Sequence, residues 1–246
     1  MKTLFLISLS FITSFLYGQD TREIRVQKCS HCNIEIFHVL KSDKKINHGA
    51  YAKVSINDKV LATGYYKNGF KDSTWIQFDN QGKNIVNKGE YFQDKRVGVW
   101  EFYNQKGELE QKYDYTKDEI SFFLIDDQYT KQNCIVINGN NRQEMKLDRP
   151  PLYVGGTSVI SQHIASNINY PVDAIDNGIS GIVYIALTVD SAGSTRNHRI
   201  QKGIPLGCSE EALRVVKLLP DNWFSGILNG EFVTTEIIIP ITFTTR

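Results

Sequence analysis

The chain has little proline, little cysteine and almost no excess of charge of either sign. Its 246 residues include 6 prolines and 4 cysteines, and its 28 basic side chains are balanced by 27 acidic ones. The resulting net charge of +1 argues against nucleic acid or an anionic membrane surface as the main partner. A composition that is 41% hydrophobic and 22% charged is typical of folded protein, and the length allows two modest cores.

Long hydrophobic runs are also lacking, except near the N-terminus. Residues 1–20, MKTLFLISLSFITSFLYGQD, place Lys2 before an apolar run that ends at Gly18. This pattern predicts a secretory signal peptide over residues 1–18, because a membrane-spanning helix needs roughly 20 apolar residues. We expect no membrane span in the mature chain and a location in the periplasm or cell envelope. An uncleaved anchor in the inner membrane, with the chain facing the periplasm, is the alternative.

Two of the cysteines, Cys29 and Cys32, form a CSHC motif. Its flanks, EIRVQK and NIEIFHV, alternate like two strands and predict a hairpin over residues 19–47, whereas a redox CxxC motif is expected at a strand-to-helix turn. We therefore favour a small structural disulfide, because export places the chain in an oxidising compartment. A zinc site is the alternative, and it would recruit nearby histidines: His31, His38 or His48. The sequence leaves the pairing of Cys134 and Cys208 open.

Self-similarity at an offset of 25 residues begins at Gly64. The segment GYYKNGFKDSTWIQFDNQGK aligns with GEYFQDKRVGVWEFYNQKGE, which begins at Gly89. The matching positions carry glycine or an aromatic residue: Gly64, Tyr66, Trp75, Phe78 and Gly82 match Gly89, Tyr91, Trp100, Tyr103 and Gly107. Each unit is interpreted as a β-hairpin that cannot bury its apolar face alone. The units are predicted to form one extended all-β module over residues 48–147, closed by the strands FFLID and CIVIN.

This arrangement of glycine, aromatic residues and a polar turn resembles the MORN-like repeats of many bacterial exported proteins. The resemblance implies a scaffold or a protein-contact surface without chemistry of its own. The tryptophan and tyrosine rings are interpreted as core between repeats, and a ligand-binding aromatic stripe is the alternative.

A second module is predicted over residues 150–246, after a linker at residues 148–151, DRPP, whose prolines suit extended backbone. Thr157 or Ser158 is expected to cap a first helix. Alternation predicts a strand over GIVYIALTVD, then a hairpin with a polar return strand. A second helix is expected to be capped by Ser209. The order predicts an α+β fold in which two helices pack on an antiparallel sheet.

The final strand is predicted to run from Phe232 to Phe243. Because proline cannot donate to a ladder, Pro240 indicates an edge strand or one interrupted on its outward side. An open edge can accept an extended segment of another chain. The alternative is an edge that Pro240 and Glu236 merely protect from unwanted pairing.

Four segments, PPLYVGGTSVISQHIASNINYP, GISGIVYIALTVDSAGS, EEALRVVKLLPDNWFSG and NGEFVTTEIIIPITF, closely resemble the C-terminal domain of TonB-family energy transducers. The resemblance implies β-augmentation: an extended segment of an outer-membrane receptor is added to the last strand, in the service of transmembrane transport. Carried over to this sequence, it implies the following partner-binding residues: Asn167, Tyr170, Pro171, Thr234, Glu236 and Ile238.

A full energy transducer also has an uncleaved N-terminal helix and a long proline-rich spacer, where this sequence has the repeats. We therefore expect a non-catalytic envelope protein that binds other envelope proteins through its C-terminal module. A membrane-anchored energy transducer and a secreted protein acting through its repeats are the alternatives. No GxSxG, HExxH or phosphate-binding glycine loop occurs, so we expect neither an enzyme nor a cofactor or metal site. The partner's identity and the oligomeric state are left open.

Overall fold

The architecture is given by a computed structural model, which describes residues 20–124 and 134–245. The proposed signal peptide lies outside the described residues. Two antiparallel sheets, of nine and five strands, make up most of the described chain. Within these ranges, no helix combines the length and the apolar character needed to cross a membrane.

The first sheet is a meander, in which each strand pairs antiparallel with the next one along the chain. Its nine strands are β1 (Thr21–Gln27), β2 (Ile34–Leu40), β3 (Asn47–Val54), β4 (Val60–Lys67), β5 (Phe70–Phe78), β6 (Ile85–Phe92), β7 (Lys95–Tyr103), β8 (Leu109–Asp114) and β9 (Glu119–Phe123). The β4–β5 connection is a two-residue turn in which Asn68 and Gly69 both have positive φ, as an Asn-Gly hairpin turn requires.

The 25-residue period has a physical cause, because each tryptophan ring lies against a glycine of the preceding strand. A Cβ atom on Gly64 would come within 2.2 Å of the Trp75 ring, and one on Gly89 within 2.3 Å of the Trp100 ring. Both indole N–H groups donate to a backbone carbonyl of the preceding strand, at 3.2 Å and 3.0 Å. Any side chain at either glycine would displace the ring.

The aromatic rings of the repeats pack on one another across the sheet. Successive rings, mostly edge to face, have centroids between 4.6 and 6.0 Å apart: Tyr51, Tyr66, Trp75, Tyr91, Trp100, Tyr115 and Tyr113. The two tryptophans are 7% and 1% exposed. A basic side chain at the same position of each repeat lies over the tryptophan ring. Lys71 Nζ is 4.5 Å from the centroid of the Trp75 ring, and Arg96 Cζ is 4.4 Å from that of the Trp100 ring. These rings form the core of the meander.

The remaining elements of residues 20–124 and 134–245 build the second module, with three helices and nine strands. The helices are α1 (Gly156–Asn167), α2 (Val172–Asp176) and α3 (Cys208–Lys217). The strands are β10 (Cys134–Asn138), β11 (Asn141–Met145), β12 (Leu152–Tyr153), β13 (Gly181–Val189), β14 (Thr195–Lys202), β15 (Trp223–Phe224), β16 (Gly226–Leu228), β17 (Glu231–Val233) and β18 (Thr235–Phe243). Five of these strands form one antiparallel sheet in the order β11-β10-β18-β13-β14.

The core of the second module lies between this sheet and its helices. The inward residues of β13 are at most 1% exposed: Val183, Ile185, Leu187 and Val189. The residues opposite them on β18 complete the apolar face: Ile241, Ile239, Ile237 and Thr235. The buried face of α3 contributes to the same cluster: Ala212, Val215 and Val216. The alternation in the sequence predicted this inner face correctly.

The prediction that CIVIN closes the repeat module is wrong. This segment forms β10, which pairs with β18 in the second sheet, while β9 completes the first sheet. The predicted linker at residues 148–151 is not a free connection either, because Arg149 forms a β-bridge with Ile227. An apolar pattern indicates a strand but does not specify the sheet that the strand joins. The boundary between the two modules was therefore predicted after β10, whereas it lies before β10.

The final strand also differs from the prediction. Residues Glu231–Val233 form β17, which pairs with β16 in a separate hairpin, so β18 begins only at Thr235. In the sheet order β18 lies between β10 and β13 and is not an edge strand. Its pairing with β10, however, covers only Thr235 and Glu236. Pro240 had indicated either an edge strand or a strand whose pairing is interrupted on its outward side. Among the described residues, the second of these holds for β18.

The two modules are joined by the buried side chain of Gln111, on β8. Its Nε2 donates to the Tyr153 carbonyl at 3.0 Å, and its Oε1 accepts from the Gly155 N–H at 2.6 Å. Gln111 is 1% exposed. The ring of Phe224 also packs against that of Tyr113 on β8, with centroids 5.8 Å apart. The end of the meander is therefore packed against the second module.

A carboxylate of the meander completes this junction at the N-terminus of α1. Neither Thr157 nor Ser158 caps the helix as predicted, since the N-cap is Gly155, without a side-chain cap. Instead the carboxylate of Glu110 accepts from the Thr157 backbone N–H at 2.7 Å and from its hydroxyl at 2.6 Å. Negative charge is stabilised there because the first N–H groups of a helix lack partners within it.

Candidate functional site

The outer edge of β18, the side facing β10, is the candidate binding site. The Ile137 N–H donates to the Thr234 carbonyl at 2.8 Å. Because backbone groups alternate sides along a strand, the N–H and C=O groups of even-numbered residues in β18 point to this edge. Pro240 is one of these residues, so its missing donor lies on the outer edge. Ile238 and Thr242 supply the donors beyond Glu236.

The side chains beside this edge are exposed and partly apolar. Ile238 is 44% exposed, and Pro240 and Thr242 are exposed as well. A shallow open depression lies on the sheet face at the β13–β14 side of Ile238, across β18 from the outer edge, and is lined by Tyr184, Gln201 and Lys202. The Lys202 ammonium lies 5.9 Å from the Tyr184 ring, so the depression combines an apolar floor with a positive charge.

The side chain of Glu236, a predicted partner-binding residue, is buried and ion-paired within the protein. Its carboxylate accepts two bonds from Arg199, at 2.6 and 2.9 Å, and pairs with Arg142 at 2.6 Å. The hydrogen bond from Arg199 lowers the pKa of Glu236 most, and that from Arg142 lowers it further, although burial acts in the opposite direction. Glu236 is 5% exposed. The ion pairs connect β11, β18 and β14 and brace the start of the last strand.

The backbone carbonyl of Thr234 is also already paired within the chain, since it accepts the hydrogen bond from the Ile137 N–H. The β10–β11 hairpin therefore covers the first part of the predicted site. Of the three site residues predicted near the last strand, Ile238 alone has an exposed side chain on the outer edge.

The other three predicted site residues lie toward the opposite end of β18. The Tyr170 ring packs on Phe243, with centroids 5.2 Å apart, and its hydroxyl donates to the Ile179 carbonyl. Pro171 precedes α2 as its N-cap. Asn167 is exposed, and its carbonyl accepts a bond of 2.7 Å from Arg214. The predicted residues thus form two groups, one from Thr234 to Ile238 and one beside Phe243, at the far end of a strand that is roughly 26 Å long at 3.3 Å per residue.

Three residues at this edge or on the neighbouring sheet face were not predicted as site residues from the sequence. Thr242 faces outward with a donor on the open edge, and Tyr184 and Lys202 line the depression. Alternation had already placed Tyr184 and Thr242 on the outer face, so that signal was present. Lys202 could not be found in this way, because the register between β13 and β14 contains two irregularities.

The cysteines fall into two environments. Cys29 and Cys32 are joined in a disulfide between β1 and β2. Cys134 is a half-buried thiol and Cys208 a fully buried one, and burial raises the pKa of both thiols. Over residues 20–124 and 134–245, no three His, Cys, Asp or Glu side chains cluster as metal ligands would.

Ser209 does not cap α3 as predicted. The helix begins at Cys208 after an N-cap glycine, and the Ser209 hydroxyl instead donates to the Ile204 carbonyl at 2.7 Å. It also accepts the Ile204 N–H at 2.9 Å. The hydroxyl closes the loop that leads into the helix.

Comparison with known proteins finds a similarity in the C-terminal part of the chain. Residues 166–245 match the family model described as Gram-negative bacterial TonB protein C-terminal. This range contains α2, β13, β14, α3 and β18, and with them the candidate edge. The match covers only part of the chain, so the MORN-like identity of the repeats stays a prediction. No curated protein matches the chain significantly.

One solved structure is also similar in sequence, namely the solution structure of the TonB C-terminal domain of Helicobacter pylori. It shares 26% sequence identity over 35% of this chain and 78% of that chain, with a TM-score of 0.28. A TM-score this low adds nothing to the family match. Residues 166–245 are therefore similar to the C-terminal domain of the TonB proteins of Gram-negative bacteria.

Proposed function

We propose that this chain is a non-catalytic protein of the periplasm or cell envelope that binds extended segments of other envelope proteins. The binding site is the outer edge of β18 from Ile238 to Phe243, and the mode is strand addition. Segments of outer-membrane receptors are the partner class that the family match favours, with a role in envelope transport. One observation carries the proposal: within residues 20–124 and 134–245, no strand pairs with this stretch of the edge.

The geometry of the edge supports a specific register. The β10 strand occupies the edge up to Glu236, so an added strand would continue along the same line, opposite Ile238 and Thr242. Backbone bonds to these two residues would provide affinity, while pockets for alternate side chains would provide selectivity. The depression at Tyr184 and Lys202 lies on the β13–β14 side of Ile238, so a partner side chain would reach it only by extending across Ile238, and the Lys202 charge would favour an acidic one.

The nine-stranded sheet is proposed to act as a rigid base for this edge. The bonds from Gln111 and Glu110 hold the second module against the last strands of the meander. A strand added to β18 would therefore bring its protein to a fixed position relative to the repeats. The open faces of the meander would then lie at a set distance from the bound partner.

Site-specific photo-crosslinking in intact cells tests the proposed edge. A photoreactive amino acid at Ile238 or Thr242 is expected to give a covalent adduct with an envelope protein, because an added strand lies within side-chain reach. Phe232 is the matched control, since it is apolar and 64% exposed but lies on β17, away from the edge. Adducts are expected from the first two positions and not from the third. Equal adduct yields at all three positions, or adducts from Phe232 alone, would refute binding at the edge.

A further inference from the structure

The Cys29–Cys32 disulfide is at the tip of the first hairpin, at the outer end of the meander. Cys29 is exposed and Cys32 is half-buried. The residues around them, Lys28, Ser30 and His31, are exposed as well. An incoming thiolate can therefore reach the Cys29 sulfur from solvent without any movement of the sheet.

The hairpin turn is held together without this disulfide. The ladder between β1 and β2 is already closed at Gln27 and Ile34. Across the tip, the Cys32 N–H donates to the Cys29 carbonyl at 3.0 Å. The Gln27 side-chain amide adds a bond of 3.0 Å to the Cys32 carbonyl. The disulfide spans a separation of three residues within this turn, and it joins no two elements that the ladder leaves apart.

The structural role that the sequence favoured accounts poorly for a disulfide in this position. In the chain-entropy description, a disulfide stabilises a fold by restricting the unfolded chain, and the restriction is smallest for the shortest loops. Exposed disulfides are, in contrast, the ones that exchange readily with thiols.

We propose that Cys29 and Cys32 form a thiol–disulfide exchange site, which accepts two electrons from a thiol or dithiol partner. A partner thiolate attacks the Cys29 sulfur, forms a mixed disulfide, and releases Cys32 as a thiolate that takes up a proton. A second partner thiolate then attacks the partner sulfur of the mixed disulfide. Cys29 leaves as a thiolate and is protonated, so that the chain ends as a dithiol and the partner as a disulfide.

The remaining cysteines provide an internal control. Cys208 is completely buried and Cys134 is half-buried on β10. Neither is exposed, so exchange in the folded chain is expected to be confined to the hairpin tip.

The experiment uses the full chain and glutathione as the probe, with a metal chelator present throughout. The protein is equilibrated in mixtures of reduced and oxidised glutathione, and its thiols are alkylated and located by peptide mass spectrometry. Cys29 and Cys32 are expected to become alkylated together, while Cys208 stays unmodified. The melting temperature of the reduced protein is expected to stay within about 3 °C of that of the oxidised protein, because the turn keeps its own bonds.

The single-cysteine variants test the order of attack. In C32S, Cys29 is expected to form a mixed disulfide with glutathione; in C29S, Cys32 is expected to react more slowly because it is half-buried. A disulfide that resists excess dithiothreitol in the folded protein would overturn the proposal. So would a fall in melting temperature of more than about 3 °C on reduction, since that would show a structural disulfide.

Discussion

Replacement of Gln111 by leucine is expected to lower the free energy of unfolding by about 2–6 kcal/mol. The substitution keeps the volume but leaves the Tyr153 carbonyl and the Gly155 N–H buried without partners, and each unpaired group costs roughly 1–3 kcal/mol. These two groups belong to the second module, whereas Gln111 belongs to the meander. The loss should therefore weaken the junction between the modules, and denaturant unfolding followed by circular dichroism measures it.

The matched control is Gln105→Leu, because Gln105 is an exposed glutamine in the turn that precedes β8. This variant is expected to unfold within about 0.5 kcal/mol of the unmodified chain. Similar free energies for the two variants would mean that the junction does not depend on Gln111. A second unfolding transition in Gln111→Leu alone would show directly that the modules have separated.

Replacement of Gly89 by alanine is expected to destabilise the meander by about 3 kcal/mol. The added methyl group would lie 2.3 Å from the Trp100 ring, which is 1% exposed and whose indole N–H is bonded to the Glu90 carbonyl. A buried ring held in this way cannot move aside without losing contacts, and overpacking of a core typically costs 1–3 kcal/mol or slightly more. Thermal and denaturant unfolding both measure the effect.

The neighbouring exposed residue provides the control for this prediction, since Glu90→Ala adds no atom against the ring. A rescue variant sharpens the test: Trp100→Leu in the Gly89→Ala background should cost less than the sum of the two single changes, because the smaller side chain leaves space for the methyl group. Strict additivity, or a neutral Gly89→Ala variant, would contradict the contact between glycine and ring.

The parts of the fold that local pattern predicts well are those in which one face of a strand is buried. The alternation in residues 181–190 placed Val183 and Leu187 on the inner face, and both are at most 1% exposed. The repeat was found for a related reason, since the contact between glycine and tryptophan recurs in neighbouring hairpins and leaves its period in the sequence.

The parts that were missed depend on contacts between distant segments. Gln111 is a polar residue that a pattern assigns to solvent, yet it is buried because its amide matches two backbone groups 42 and 44 residues further along the chain. The hydroxyls of Thr157 and Ser209 were predicted to cap their own helices. Both bind other groups, since a better acceptor or a loop carbonyl lies within reach.

The candidate edge was predicted in part. Pro240 correctly indicated a strand interrupted on its outward side, but the sequence could not show that β10 would occupy its first residues. For the same reason Glu236 was predicted as a contact for a partner, although Arg142 and Arg199 enclose it. The arginines come from strands on either side, and no sequence spacing links them to Glu236.

Whether the outer edge of β18 is open to a partner can be measured by amide hydrogen exchange of the isolated chain, resolved by residue. Exchange rates along β18 are expected to alternate with a period of two, in which the odd-numbered amides that face β13, such as Ile239 and Ile241, exchange slowly. The amides of Ile238 and Thr242 should exchange on the order of a hundredfold faster, since they point to the open edge. Slow exchange at both of these residues would show that the edge is already paired within the chain and is not open to a partner.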